Sequence, residues 1–222
     1  MKLNHLIDHS VLSPTTLLRD VEKCCQEAID YGFAAVCIPP PFVKIAKTLL
    51  KDSPVKVATV IGFPFGYSAI EAKLAEAVLA MVDGADELDV VINLIALKNK
   101  DWPYLASELN HLAPVIKKEN NTLKIIIESG ILTDEEIIKC CQLYGAAEID
   151  YLKTSTGYAE KGASLHAVQL FKANLPTGTG IKASGGIRDH AFAKSLVQAG
   201  ATRLGCSASV AIVTDPNNQV SN

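Results

Sequence analysis

Short apolar runs rich in β-branched residues alternate with longer stretches of helical period along the whole of this 222-residue chain, and that rhythm admits few architectures. Strands separated by helices pair in parallel, because each crossover helix returns the chain to the same end of the sheet. Eight runs qualify as strands, near 6–9, 33–38, 56–61, 87–92, 123–128, 149–153, 180–183 and 202–206. Between them, residues 15–31 place Leu17, Leu18, Val21, Cys24, Ala28 and Ile29 on one helical face, and 69–83 is rich in alanine, leucine and glutamate. Thr133 followed by Glu136 reads as a capping box that starts a helix over 134–144. Glycine closes several helices, at Tyr31-Gly32, Asp83-Gly84, Tyr144-Gly145 and Ala199-Gly200, which predicts left-handed caps ahead of the following strands. Eight such units can close into a barrel. An open, doubly wound sheet is the alternative, because the first run is the weakest.

Both faces of the strands in such a sheet are covered, so polar residues within or just after an apolar run need a reason. Asp8, Cys37, Asp89, Glu128, Lys153, Lys182 and Ser207 fall at or near the C-terminal ends of the runs, the edge where a barrel gathers its catalytic groups. The two lysines stand out, Lys153 in Y-L-K-T-S-T-G (151–157) and Lys182 in I-K-A-S-G-G-I-R (181–188). Two ammonium groups meeting in a partly dry pocket disfavour each other's charge, so one of them becomes a neutral amine able to attack a carbonyl. At the ordinary pKa of about 10.4, only about one lysine in a few thousand is neutral at pH 7. A pair of surface lysines at strand ends is the plain alternative. After Lys182, Ala183 and Ser184 lead into Gly185-Gly186; small residues and free backbone N–H groups between a strand and a helix make a concave seat for an anion such as phosphate.

These two motifs, together with G-A-D-E-L-D-V-V-I-N (84–93), resemble those of the deoxyribose-phosphate aldolase family, class I aldolases built on a (β/α)8 barrel. The likeness runs from I-D-H-S-V-L (7–12) through A-A-V-C-I (34–38) to R-L-G-C-S (203–207). It implies an α/β fold, a (β/α)8 TIM barrel in one domain over 1–222, with 213–222 as a frayed tail. It also implies reversible cleavage of 2-deoxy-D-ribose 5-phosphate to D-glyceraldehyde 3-phosphate and acetaldehyde. Lys153 matches the family's Schiff-base lysine, Lys182 the second lysine whose charge lowers the pKa of the first, and Asp89 the acid/base aspartate that acts through a water. Asp86 is a neighbouring candidate, but strand alternation places Glu87 and Asp89 on one face; a carboxylate that only pairs with the two ammonium groups is the other reading of Asp89. Substrate and phosphate contacts fall by the same match to Asp8, Cys37, Thr156, Gly185, Gly186 and Ser207, with Cys37 and Cys206 packing the pocket wall. Ala208 stands where many members carry a second serine, Tyr158 where some carry a lysine, and the C-terminal tyrosine of some members is absent. These departures bear on phosphate affinity and proton transfer more than on imine formation.

Charge and composition narrow the field. Twenty-one basic against 24 acidic residues leave a net charge of −3, with no basic run to grip nucleic acid. No stretch of about 18 apolar residues could cross a membrane, and the N-terminus lacks the apolar core of a secretion leader, so the expected location is the cytoplasm. Six cysteines show no C-x-x-C spacing and five histidines are scattered, which argues against a zinc site or a disulfide framework. The expected chemistry uses neither metal nor organic cofactor. The expected partners are a sugar phosphate and further copies of the chain, in a number the sequence leaves open. Two other readings stand beside the aldolase: a non-catalytic barrel that binds a sugar phosphate, and a Schiff-base aldolase for another phosphorylated aldehyde.

Overall fold

In the computed structural model, which describes residues 2–147 and 149–215, the apolar runs form eight strands: β1 (Ile7–Ser10), β2 (Ala35–Ile38), β3 (Lys56–Ile61), β4 (Glu87–Val91), β5 (Thr122–Ile126), β6 (Tyr151–Lys153), β7 (Gly180–Ser184) and β8 (Arg203–Cys206). Each pairs in parallel with its neighbours in sequence, and β1 also pairs with β8 through Ile7↔Leu204, Asp8↔Gly205 and His9↔Cys206. That last pairing closes the sheet and rules out the open alternative. The weak first run is thus a strand held by both neighbours, not an edge.

The helices are α1 (Leu18–Tyr31), α2 (Val43–Leu49), α3 (Ile70–Val82), α4 (Leu94–Lys98), α5 (Trp102–Lys118), α6 (Asp134–Gly145), α7 (Leu165–Asn174), α8 (His190–Ala199) and α9 (Ser209–Thr214). The capping box forms as the spacing predicts, with Glu136 N–H donating to Thr133 Oγ1 and Thr133 N–H to Glu136 Oε2. Gly32, Gly84 and Gly200 adopt positive φ of 65°, 102° and 126° after their helices. Gly145 does not; it is the last residue of α6, and a side chain there would sit 2.6 Å from Pro176 Cδ. Space, not backbone conformation, selects glycine at that position. On α1 the buried face holds Val21, Cys24, Cys25 and Ala28, whereas Leu17, Leu18 and Ile29 are exposed, so the apolar stripe is narrower than the sequence pattern predicts. Part of the expected tail, Val213 and Thr214, belongs to α9, and the rest of 213–222 beyond Asp215 lies outside the described residues.

Alternation along the strands sorts the side chains into two layers. Leu88, Val90, Leu123, Ile125, Leu152, Ile181 and Leu204 point outward and join the helices in the main apolar core. The lumen is filled differently on its two sides. Small apolar groups of β2 and β3, namely Ala35, Cys37, Ala58 and Val60, form a separate cluster with Leu12 and Phe63 against it. From β4 round to β1 the inward positions are Glu87, Asp89, Lys124, Lys153, Lys182, Arg203 and Asp8, where barrels usually carry branched aliphatics. The top of β4 is fixed from outside as well, by Lys73 of α3, whose Nζ donates to Val91 O (2.7 Å) and to Glu108 of α5 (2.6 Å).

Candidate active site

Asp89 is the hub of the lumen. Its Oδ2 accepts from Lys153 Nζ at 2.6 Å and from Lys182 Nζ at 2.7 Å, while its Oδ1 accepts from Lys124 Nζ at 2.7 Å. Lys182 also donates to Asp8 Oδ2. Lys124 reaches Glu87 Oε2 at 2.5 Å, and Arg203 Nη1 bonds Asp8 Oδ1 at 2.6 Å and lies 3.3 Å from Glu87 Oε2. The register makes this possible: Lys153 is the Cα partner of Lys182, and Lys182 of Arg203, so three cations sit side by side around the wall.

Counting charges shows that one of the cations is surplus. Three carboxylates, those of Asp8, Glu87 and Asp89, face four cations, those of Lys124, Lys153, Lys182 and Arg203. A dry cavity strongly disfavours net charge, so the network is neutral when one lysine gives up its proton. Lys153 is the one whose hold on its proton is weakened. Burial pulls its pKa down, Asp89 resists, and the ammonium of Lys182 pulls it down further, leaving it below the ordinary lysine range. Burial works against the charge of Lys182 and Lys124 as well, but their carboxylate partners outweigh it and hold both above the ordinary range. Burial likewise pushes the Asp89 and Asp8 carboxyls up, and the surrounding cations override it, holding both well below the usual carboxylate range. Two lysines held above the ordinary range thus sit beside a third held below it, which is the direction an attacking amine needs.

A cavity of about 580 Å³ opens above this network, and Lys153, Lys182, Cys37, Gly185, Gly186 and Ser207 line it. Asp89 lies beneath them, fully buried. Asp8, expected to touch substrate, is also fully buried below the cavity and committed to Lys182 and Arg203; it is a counter-ion. Thr156 lines the cavity, but its hydroxyl donates to Glu128 Oε2 and its N–H reaches the same carboxylate at 3.3 Å, so the hydroxyl expected on the anion is spent holding the loop. Burial raises the Glu128 pKa against those bonds.

The glycine turn keeps its expected form. Gly185 and Gly186 both have positive φ, 87° and 75°, a backbone conformation that glycine takes without strain. Gly185 is also pressed against the loop after β6: a side chain there would come 3.1 Å from Gly162 Cα and 3.3 Å from Gly157 Cα. Arg188, four residues beyond Ser184, lines the cavity beside the turn. Ala208 packs against the apolar core, away from the lining, and Tyr158 sends its hydroxyl to Leu12 O at 2.8 Å rather than to the glycines. Cys37 and Cys206 both line the cavity with thiols raised by burial, Cys206 to about 12, so both are wall, not nucleophile.

Lys124 and Arg203 are the residues that sequence reasoning missed. Lys124 interrupts T-L-K-I-I, a charge in the middle of a strand covered on both faces, and that signal was available.

The sequence profile of the DeoC/LacD family of aldolases matches residues 3–212. The chain is 42% identical over 220 residues to a deoxyribose-phosphate aldolase of Caldanaerobacter subterraneus subsp. tengcongensis, covering 99% of this chain and 95% of that one. To the deoxyribose-phosphate aldolase of Lactococcus lactis subsp. cremoris it is 46% identical over 213 residues, 96% of each chain. Its fold superimposes with a TM-score of 0.91 on the tetrameric deoxyribose-phosphate aldolase of Aeropyrum pernix, at 33% identity, covering 98% of this chain and 92% of that one. With a closed barrel whose lumen sets a lysine of lowered pKa beneath a glycine turn, and with these relatives matching it nearly end to end, the chain belongs to the DeoC/LacD family of aldolases.

Proposed function

We propose that the chain cleaves 2-deoxy-D-ribose 5-phosphate reversibly to D-glyceraldehyde 3-phosphate and acetaldehyde, with Lys153 as the amine that carries the covalent intermediate. The observation that supports this most strongly is that Lys153, alone of the three lumen lysines, is held below the ordinary lysine range, with Asp89 as its one ion-pair partner among the described residues and that carboxylate shared with Lys124 and Lys182. Its neutral Nζ attacks the C1 aldehyde of the open-chain sugar, and loss of water gives a protonated imine. A base takes the C3 hydroxyl proton, the C2–C3 bond breaks, and its electron pair enters the iminium to form an enamine. Glyceraldehyde 3-phosphate leaves as the new C3 carbonyl compound. The enamine then takes a proton at C2, and water adds to the imine and expels acetaldehyde, restoring the amine.

Lys182 stays charged throughout and favours the neutral amine by repulsion. Asp89 is the acid/base group of this scheme. Because it lies beneath the cavity floor, it acts through a water that reaches Oδ2 once imine formation draws Lys153 away. The phosphate rests on the N–H groups of Gly185 and Gly186 and the hydroxyl of Ser207, with Arg188 beside it. The chemistry needs no metal or organic cofactor. A homo-oligomer is the expected working form, in line with the tetrameric relative, and the cytoplasm its location; among the described residues no helix is long and apolar enough to cross a membrane.

Borohydride reduction in the presence of acetaldehyde tests the assignment. Peptide mass spectrometry should find an ethyl group on Lys153. An adduct on Lys182 alone, or on neither lysine, refutes the scheme.

A further inference from the structure

The cavity is lined from β1, β2, β6, β7, β8 and α1, and nothing on β3, β4 or β5 or in the loops after them reaches it. One aromatic ring of the lining reaches toward that side. Tyr158 stands two residues past Thr156 in the loop after β6, yet its hydroxyl donates to the carbonyl of Leu12, 146 residues away beyond the end of β1. Those two strands are three places apart around the barrel, so the side chain crosses the mouth. Its ring also meets Phe63, beyond the end of β3, edge-on at 5.4 Å and 87°. Leu12 and Phe63 in turn lie on the small apolar cluster of β2 and β3. The base of Tyr158 is itself seated: its N–H donates to Thr156 Oγ1 at 3.0 Å, Thr156 is fastened to Glu128, and Gly157 (φ 92°) allows the turn between them.

We propose that the ring of Tyr158 sets the size of the donor aldehyde that Lys153 can carry. The inference rests on the imine chemistry proposed above. A substrate joined to Lys153 with its anion on the turn after β7 has its chain directed toward β7 and β8. Whatever else the carbon next to the imine carries must then fit between Cys37, Leu12 and the underside of Tyr158. A two-carbon donor bears only hydrogen there. One extra methyl group, as in propanal, needs the volume the ring occupies. Tyr158 is a specificity-determining wall, and it is the ring, seated edge-on against Phe63, that forms it.

Discrimination against one methylene in a tight apolar site is typically about 10–200-fold. The unaltered protein, Tyr158→Ala, Tyr158→Leu and Tyr158→Phe would each be given equimolar acetaldehyde and propanal with borohydride, and the ethyl and propyl adducts on Lys153 weighed by mass spectrometry. Tyr158→Ala should raise the propyl-to-ethyl ratio by about tenfold or more, and Tyr158→Leu, which keeps an apolar body at this exposed position, should raise it less. Tyr158→Phe keeps the ring and should keep the ratio. The proposal is overturned if the alanine variant retains the parent ratio with its melting temperature intact, or if phenylalanine shifts it as far as alanine does. Absence of any adduct on Lys153 in the unaltered protein would refute the imine scheme itself, whereas equal ratios refute the role of Tyr158 alone.

Discussion

Replacing Lys182 with methionine is the sharpest test of how the lumen tunes its amine. Bonds of 2.6 and 2.7 Å to the same Asp89 oxygen put the nitrogens of Lys153 and Lys182 no more than about 5.3 Å apart. At an effective dielectric constant of about 20, two unit charges at that separation repel by about 3 kcal/mol, which is about a hundredfold in the ratio of neutral to charged amine at fixed pH. Losing Lys182 also leaves three carboxylates facing two other cations, Lys124 and Arg203, so a protonated Lys153 now completes the balance and the effect gains in the same direction. The acid limb of the rate of imine formation should therefore move to higher pH, and trapping near neutral pH should slow by about two orders of magnitude. The measurement is the initial rate of borohydride-trapped ethyl-Lys153 between about pH 5 and pH 10, with adduct at saturating pH reporting that the site remains intact. An acid limb that stays in place would mean that burial alone, the first cause of the lowered Lys153 pKa, neutralises the amine. A limb moving to lower pH would refute the electrostatic reasoning altogether.

Lys153→Met removes the lysine least committed to a carboxylate, so it should abolish trapping while leaving the chemical denaturation midpoint unchanged or raised; Lys124→Met takes one partner from Asp89 and leaves Glu87 only Arg203 at 3.3 Å, and should lower stability by up to about 3–5 kcal/mol in the same denaturation assay. Ser207→Ala should raise KM for deoxyribose 5-phosphate by roughly ten- to a hundred-and-fifty-fold, the worth of one hydrogen bond to a charged group, and leave KM for unphosphorylated deoxyribose as it was. Ala208→Ser, whose side chain meets the apolar core, should leave both KM values near those of the parent, an outcome checked in the same kinetic series. Acid should unfold the protein abruptly: free Asp carboxyls take up protons near pH 3.9, while Asp8 and Asp89 in the fold hold theirs off to lower pH. The stability these two supply is present above that value and is lost as pH falls below it, because the unfolded chain then binds more protons; melting temperature against pH should drop steeply below about pH 4.

The barrel was legible in the chain because each unit announces itself locally: an apolar run, a helix of clear period, and in three cases a glycine that takes positive φ where the helix stops. The pairing of β1 with β8 was less so, since three of the four residues of Ile7–Ser10 are polar, and only a closed sheet explains them. At the site, Lys153, Lys182 and Asp89 stood out by their places at strand ends and by family resemblance. Thr156 and Asp8 carry bonds that their motifs did not announce, for one reason. Each looks like a free polar group in its own motif, and each is claimed by a partner far along the chain, Glu128 and Arg203 respectively. Motif reading sees which groups are polar but not which are already taken. Lys124 shows the converse, a residue outside any motif whose importance follows from burial alone.

The lumen network has a consequence for the order in which the polypeptide acquires its shape. Asp8 lies on the first strand of the barrel, and the two groups that neutralise it, Lys182 and Arg203, lie 174 and 195 residues downstream. A nascent or truncated barrel lacking its last two strands would have to bury that carboxylate with no adjacent cation except Lys124, 3.7 Å away and already shared with Glu87 and Asp89. Desolvating a poorly matched carboxylate costs several kcal/mol, enough to keep the first strand hydrated and undocked until the chain is nearly complete. The charge that tunes the amine therefore also ties the two ends of the polypeptide into a single closing event, and half-barrels are disfavoured as stable intermediates.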